Sequence, residues 1–551
     1  MKNIVSENSK NYYFKKLPKI VLIPWHFDNE TIHPYPYCGK REIYCGPKLQ
    51  NKDSKERKFI RTSGTHFDIN EVLSQLNEED QKIDLIVLVL EAENTCFPLN
   101  LFKIKCPKFA LVGDTHHSKY SISSIIHYMK RENFEHMLMV AQPAHLHFFY
   151  EAGIKHCAFL PRTVLNFEKV KKKKNGVTYI GERWSSSHPR RSRMVFFLEK
   201  KLAKNNIPFY RYKRLPLLKW LKVLAHSKMI VISSLNGQFT PQIISCLSAG
   251  ALCFVDELSS QTYLYRFFEP GKHLIIWCNF EDLLKKLIYY YEHPDEAEAI
   301  AKAGKLQAEK KIATTKSHMF TMLDFIYDNK IGSSFVAIND KRCQNERIES
   351  PEYFDARMRL YENIQELHRI HESLTLISIT ENNLKPLSDL ADLPRLKITS
   401  AFITERTKNE ADLYFQSVEV NNQIKTAILN KIKNKTPFDI GFLETPKNQA
   451  NWEFLIKSIS RLLKSNSLLW VLGDVTSMEK ELLKREGFKP YIFNENSIFL
   501  KIKNISRKIC FQSWKMGLYP FPYLTLKPAM EPVPNLNVFL RGWQAKIPML
   551  F

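Results

Sequence analysis

Short apolar runs of strand length, separated by segments long enough to hold a helix, recur along this chain and constrain its fold more than any other feature. The first series is IVLI (20–23), DLIVLVL (84–90), KFALVG (108–113), MLMVA (137–141) and CAFL (157–160). Continuous apolar runs bounded by helix-length spacers are the pattern of strands buried on both faces of a parallel sheet. A basic run, Lys169 with Lys171 to Lys174, ends in Asn175-Gly176, a turn pair. A second series then follows: VTYIG (177–181), KMIVISS (228–234), ALCFVD (251–256) and HLIIW (273–277). From 281 to about 327 the spacing turns helical, with a break at His293-Pro294. A connector with one amphipathic helix, FDARMRLYENIQELHRIHE, leads to a third series: LTLISI (374–379), FDIGFLE (438–444), SLLWVLGD (467–474) and the pair YIFNE and SIFLKIK within 491–503. The fold class is therefore α/β. The expected units are 1–168, 175–330, a helical connector over 331–373, 374–509, and a proline- and aromatic-rich tail over 510–551 that packs as extended chain. A length of 551 residues supports such a division, because one core cannot serve it.

Composition narrows the setting. The start, MKNIVSENSKNYYFKKLPK, lacks the apolar segment of a secretory signal, and no later run reaches the ~18 apolar residues of a membrane span. A cytoplasmic protein is expected. Ten cysteines are scattered without a CxxC pair, which points to reduced thiols rather than a metal or disulfide framework. The formal charge of +24 favours an anionic partner: a nucleotide diphosphate, a charged glycan, the anionic inner face of a membrane met peripherally, or nucleic acid. The lysine run reads either as a phosphate or headgroup contact or as a solvated linker.

Ligands of open α/β sheets bind beyond the carboxyl ends of strands, so the loops after the strands are where chemistry is sought. One candidate is Gly113-Asp114-Thr115-His116-His117, where Asp114, His116 and His117 can orient a hydroxyl, take a proton or hydrogen-bond a sugar. The competing reading is a helix cap by Asp114 or Thr115 with packed imidazoles. No acidic or histidine partner at recognisable spacing completes a metal site, so none is expected. The second candidate runs from Ser233 to Gln242 and includes Ser234, Asn236, Gly237, Gln238 and Thr240. Small and amide residues there leave backbone N–H groups and a helix N-terminus open to phosphate. Arg183, Arg190, Arg191 and Arg193 follow the strand VTYIG and offer guanidinium forks suited to a diphosphate; the alternative is a solvated basic face.

These residues carry a family resemblance. SSLNGQFTPQIISCLSAGALCFVDELSSQTYL, with FFEPGKHLIIWCNFEDLLKKLIYYYEHPDEAEAIAKAG, resembles the carboxy-terminal domain of the CgeB-type, group-one glycosyltransferases. GDTHH and AHLHFFYEAGIKHCAFLP are similar to the amino-terminal half of the same proteins, so the resemblance spans about 20–315. It implies a GT-B fold: twin Rossmann-like domains facing across a cleft, with the nucleotide sugar held mainly by the second and the acceptor by the first. It implies a nucleotide-diphosphate sugar as donor substrate, a glycan or protein as acceptor, and neither metal nor cofactor, since arginines and a helix dipole neutralise the leaving diphosphate. Arg183 with Arg190 or Arg191 would face the pyrophosphate, the 237–240 loop the nucleotide and sugar, and His116 or His117 the transferred sugar. The sequence departs from the family where relatives carry an Arg and a Glu before Ala-Gly: Gln242 and Ser245 stand there, and Gly237 replaces an earlier Glu. Asp256 or Glu257 is the nearest substitute for the ribose-binding carboxylate.

The third series resembles a class I methyltransferase. FDIGFLE and SLLWVLGD match its fourth and fifth strands and GFKPYIFNENSIFLKIK its closing hairpin. Thr380-Glu381-Asn382-Asn383 replaces the glycine turn that lets backbone approach S-adenosylmethionine, so docking rather than methyl transfer is expected of this unit. Three functions remain open at this point: sugar transfer, non-catalytic binding of a glycan or nucleotide, and glycosylation of DNA, which would show steep salt dependence.

Overall fold

The structure is a computed structural model. It describes residues 17–26, 28–29, 39–90, 96–116, 120–154, 156–161, 165, 167, 170, 173–181, 189–213, 215–234, 237–312, 315–328, 336–337, 351–370, 373–380, 383–432, 437–445, 451–490 and 536–541. Three open sheets organise them, together with one short parallel pair.

The first sheet draws on β1 (Ile20–Pro24), β2 (Arg41–Gly46), β3 (Lys52–Asp53) and β4 (Arg57–Arg61). A separate pair is formed by β5 (His66–Asp68) with β7 (Phe97–Leu99), on either side of β6 (Leu85–Leu90) in sequence. Then come β8 (Lys108–Val112), β9 (His136–Met139) and β10 (His156–Phe159). Its order is β16-β10-β9-β8-β6-β1-β2-β4-β3, where β16 (Val336–Ala337) is contributed from far along the chain. All neighbours are parallel except the two edge strands, β3 and β16. Alternate side chains serve opposite layers. Val21, Leu85, Val87 and Phe109 pack with Met322, Leu323, Phe325 and Ile326 of the helix Thr315–Asp328. Leu22, Ile86, Leu88 and Ala110 join the cluster on the other face. The chain thus returns to the first sheet after completing the second.

The second sheet comprises β11 (Lys174–Ile180), β12 (Phe209–Tyr212), β13 (Ser227–Ile232), β14 (Leu252–Asp256) and β15 (Ile275–Trp277). Its order is β12-β11-β13-β14-β15, wholly parallel. Chain direction across the sheet reverses between β11 and β13, and the crevice beyond their carboxyl ends is where this topology places a ligand. Lys173, from the basic run, donates to the carbonyls of Ala249 and Gly250 at 2.8 and 2.6 Å, closing the end of the helix Pro241–Ser248. Burial, then the neighbouring Lys305, lowers its pKa to about 8. That lysine is structural, a role neither reading of the run anticipated.

The third sheet comprises β17 (Leu374–Ile379), β18 (Leu396–Phe402), β19 (Ile424–Ile428), β20 (Phe438–Glu444), β21 (Leu463–Leu472), β22 (Phe488–Pro490) and β23 (Leu536–Arg541). The order is β19-β18-β17-β20-β21-β23-β22, with β23 antiparallel to both neighbours. The tail, expected as packed extended chain, supplies a strand of this sheet: Leu536–Arg541 runs between β21 and β22. The expected YIFNE and SIFLKIK strands lie outside the described residues. Alternation in LNVFLR sends Leu536 and Phe539 into the buried layers, which a proline-rich context concealed.

The connector helix Pro351–Ile370 joins the units. Ala356, Leu360, Ile364 and Leu367 face the third sheet's core, while Phe354 and Met358 belong to the apolar cluster shared by the first two sheets. Its polar residues are buried as well: Asp355, Arg357, Arg359 and Glu362 expose at most 3% of their surface. Among the described residues no helix is long and apolar enough to cross a membrane.

Candidate functional site

The crevice of the second sheet is built on Ser233 to Thr240 and the helix that follows. Pro241 occupies the first turn, and Thr240 is the N-cap residue but gives no side-chain cap. Gln238 Nε2 and Thr240 Oγ1 are buried and make no hydrogen bond. Buried polar atoms in native proteins are nearly always satisfied, so a pair left open before an uncapped helix start is a place for a polar ligand.

The arginines of the sequence reading brace this loop from behind. Arg190 donates to Asp256 at 2.8 Å and lies 4.9 Å over the Trp277 ring. Asp256, fully buried, also accepts from the Ser234 backbone N–H at 2.9 Å. Arg191 holds the Ser233 carbonyl at 3.1 Å. The two side chains considered for the ribose are both occupied: Asp256 as just described, and Glu257 by Arg395 of the third unit at 2.9 Å. The Ser245 hydroxyl, at the position of the family's ribose Glu, donates to the Pro241 carbonyl at 3.1 Å. Gln242 is half-buried in the first turn of the helix. Arg183, Asn236 and His117 lie outside the described residues.

In the first unit, Asp114 accepts from the His116 N–H at 2.9 Å and so shapes the loop after β8. His116 itself is fully buried. Its Nδ1 contacts Glu362 of the connector helix, whose other oxygen accepts from Arg359 at 3.1 Å. His145, from the turn Pro143–His145 after β9, stands beside it with ring centroids 4.8 Å apart. Burial, followed by the charges of His116, His147 and Arg359, holds His145 well below its ordinary pKa, so it is neutral. His116, His145 and Glu362 each bring one ligand-type atom, all within 4.8 Å of one another. The His116 side chain thus meets Glu362 of the connector helix, while Arg190 and Arg191 engage Asp256 and the Ser233 carbonyl.

That helix lies against both facing units. Asp355 accepts from the Ile122 and Ser123 N–H groups at 2.8 and 3.3 Å, capping the helix Ser121–Arg131 from another part of the chain. Burial drives its pKa up to about 7 against the pull of those hydrogen bonds. Arg357 bridges Glu151 at 2.6 Å and Asp389 at 2.9 Å. Burial works against both the guanidinium charge and the Asp389 charge, but their mutual attraction prevails, raising the first pKa and lowering the second. At the helix's far end Gln365 meets Gly237. None of these helix residues was singled out in the sequence. Glu362 is remote from GDTHH along the chain, and only AHLH, already within a quoted stretch, signalled part of the cluster.

A family model described as glycosyl transferase-like matches residues 162–323. No curated protein matches the sequence. Among solved structures the chain is similar to HepE of Anabaena in complex with UDP-glucose, at 10% identity over 57% of this chain and 100% of that one, with a TM-score of 0.39. It is similar to TarM at 12% identity over 44% of this chain, with a TM-score of 0.34, and it spans 55% of TarM's length. It is also similar to a putative sarcosine dimethylglycine methyltransferase from Galdieria sulphuraria, at 10% identity over 31% of this chain and 79% of that one, with a TM-score of 0.21.

Proposed function

We propose that the chain is a glycosyltransferase that binds a nucleotide-diphosphate sugar at the crevice beyond β11 and β13 and passes the sugar to an acceptor hydroxyl on a glycan or protein. The observation that carries this is the open polar pair, Gln238 Nε2 and Thr240 Oγ1, ahead of an uncapped helix start at the reversal point of a parallel sheet. An anionic diphosphate suits that position, because helix N–H groups and the helix dipole favour negative charge there. Arg190 and Arg191 act by fixing the loop through Asp256 and Ser233. No step requires a bound metal, since preorganised N–H groups can stabilise the departing diphosphate. The glycosyl transferase-like match over 162–323 supports the same location.

The test is a thermal-shift screen of the full chain against nucleoside diphosphates and their sugars. A ligand at 100 times its Kd adds about 2.7 kcal/mol to the folded state. One nucleotide should raise the midpoint by several degrees, and Thr240→Val should reduce that rise. If no nucleotide shifts the midpoint, the reading fails.

One observation favours a second reading, a scaffold that binds without turnover. His116 is sealed beneath the connector helix and committed to Glu362, so in this arrangement it cannot touch a sugar. Nucleotide binding without hydrolysis or transfer in the presence of candidate acceptors would select this alternative.

A further inference from the structure

We propose that His116, His145 and Glu362 form a divalent-cation site of the zinc type, which fastens the connector helix to the first unit. This stands apart from the nucleotide reading, since its residues lie outside the 233–245 crevice.

The three side chains come from remote segments: the loop after β8, the turn after β9 and the connector helix. Each offers one ligand atom, and these lie within 4.8 Å of one another. Side-chain exposure is 0% for both histidines and 4% for Glu362. The decisive group is His145. Its Nδ1 is 2.7 Å from the Thr115 hydroxyl, whereas its Nε2 makes no hydrogen bond and faces Glu362 Oε1 at 3.7 Å. That separation is too long for a hydrogen bond. In the tautomer that donates Nδ1–H to Thr115, the Nε2 lone pair and a carboxylate oxygen confront each other in the buried interior, an arrangement that a cation between them resolves. Ligands about 2.0–2.1 Å from a tetrahedral ion stand about 3.3 Å apart, near the 3.7 Å between His145 Nε2 and Glu362 Oε1. His116 and Glu362 are in direct contact, so loading parts them to ligand spacing.

The surroundings resemble an outer coordination sphere. Thr115 fixes the His145 ring, Asp114 fixes the His116 backbone, and Arg359 occupies Glu362 Oε2 so that Oε1 faces the histidines. Arg359 also sets a limit, because its charge opposes a dication; micromolar rather than tighter affinity is expected. Two imidazoles and one carboxylate suit zinc or cobalt and not calcium or magnesium, which prefer oxygen ligands throughout.

The experiment uses the full chain, stripped with a chelator and titrated with Co2+ and then Zn2+. One equivalent of Co2+ should produce the visible absorption of a nitrogen- and oxygen-ligated ion, and Zn2+ should displace it. Zn2+ should also raise the thermal midpoint where Mg2+ does not. Glu362→Gln, nearly isosteric, and His145→Ala should each abolish the cobalt spectrum. Should either fail to fold by circular dichroism, Thr115→Val serves instead, with an expected 10- to 100-fold loss of affinity. Absence of Co2+ binding below about 100 μM, or binding unchanged in the folded variants, overturns the proposal and leaves the trio as a hydrogen-bonded ion pair.

Discussion

Gly237, in the loop after β13, lies so close to Gln365 of the connector helix that a Cβ on Gly237 would stand 2.2 Å from the Gln365 Nε2. The glycine also sits at φ 70°, a conformation that costs other residues about 1–2 kcal/mol. Gly237→Ala should therefore destabilise the chain by about 2 kcal/mol or more in denaturant titration, as backbone strain adds to displacement of a buried amide. Adding Gln365→Ala should recover the contact part and leave the strain, so the two changes should be visibly non-additive. Strict additivity would show that the helix does not rest on this loop.

Asp355 gives a pH signature. Its folded pKa of about 7 lies above the model-compound value of 3.8, so the folded state holds the proton more tightly. The stability tied to that proton is complete below about pH 4 and is lost as pH rises through 7. A shift of about 3 units corresponds to ~4 kcal/mol by linkage. Asp355→Asn keeps an acceptor for the Ile122 and Ser123 N–H groups and cannot ionise. The variant should match the parent near pH 4 and exceed it by a few kcal/mol near pH 8 in thermal unfolding. A difference that does not vary with pH would refute this account.

Arg357 is the counterpart at the middle of the helix. Replacing it with Met leaves Glu151 with Lys385 alone, at 3.1 Å, and Asp389 with His147 alone, at 3.2 Å, at a cost of about 3 kcal/mol at neutral pH, the lower end for a broken buried pair because each carboxylate keeps one partner. Since the folded-state pKa values of both carboxylates are depressed, the contribution is present above the ordinary carboxylate range of ~4 and fades as pH falls below it. The penalty of the variant, followed by urea midpoints, should shrink in acid. An equal penalty at pH 3 and pH 7 would mean that packing, not charge, is what Arg357 supplies.

The third unit should not bind S-adenosylmethionine. Asn383, in the loop after β17, donates to the Tyr353 hydroxyl of the connector helix and accepts from the Lys385 N–H at 3.2 Å, so its side chain is already engaged; Glu381 and Asn382 lie outside the described residues. Calorimetry with the full chain should give no heat of binding at micromolar concentrations. Measurable saturation would make methyl transfer a genuine second activity.

How much of this could be read in the sequence depends on which forces a local pattern reports. Runs such as DLIVLVL and ALCFVD announced buried parallel strands, because burial on both faces demands uninterrupted apolar residues. REIYCG and RKFIR, near the sheet's far edge, mix polar with apolar residues and escaped notice. The loop at 233–240 was legible because turn residues between a strand and a helix carry their own chemistry. The connector helix was legible only as an amphipathic element. Periodicity states which of its side chains share a face, but not that Asp355, Arg357 and Glu362 meet a helix start, two carboxylates and a histidine from other parts of the chain. Such pairings are fixed by tertiary packing, which no spacing within one segment encodes.

The place of β23 bears on how the protein is made. A strand drawn from 536–541 fills the gap between β21 and β22, which end at 472 and 490. During synthesis β21 emerges well before the neighbour that will cover its edge, and among the described residues β22 pairs in the sheet with β23 alone. Until then the backbone edge of β21 is open to pairing with any other extended chain. The third unit therefore cannot close while the ribosome is still translating the preceding stretch, and a nascent chain halted before residue 536 would present an adhesive edge, a natural target for chaperones.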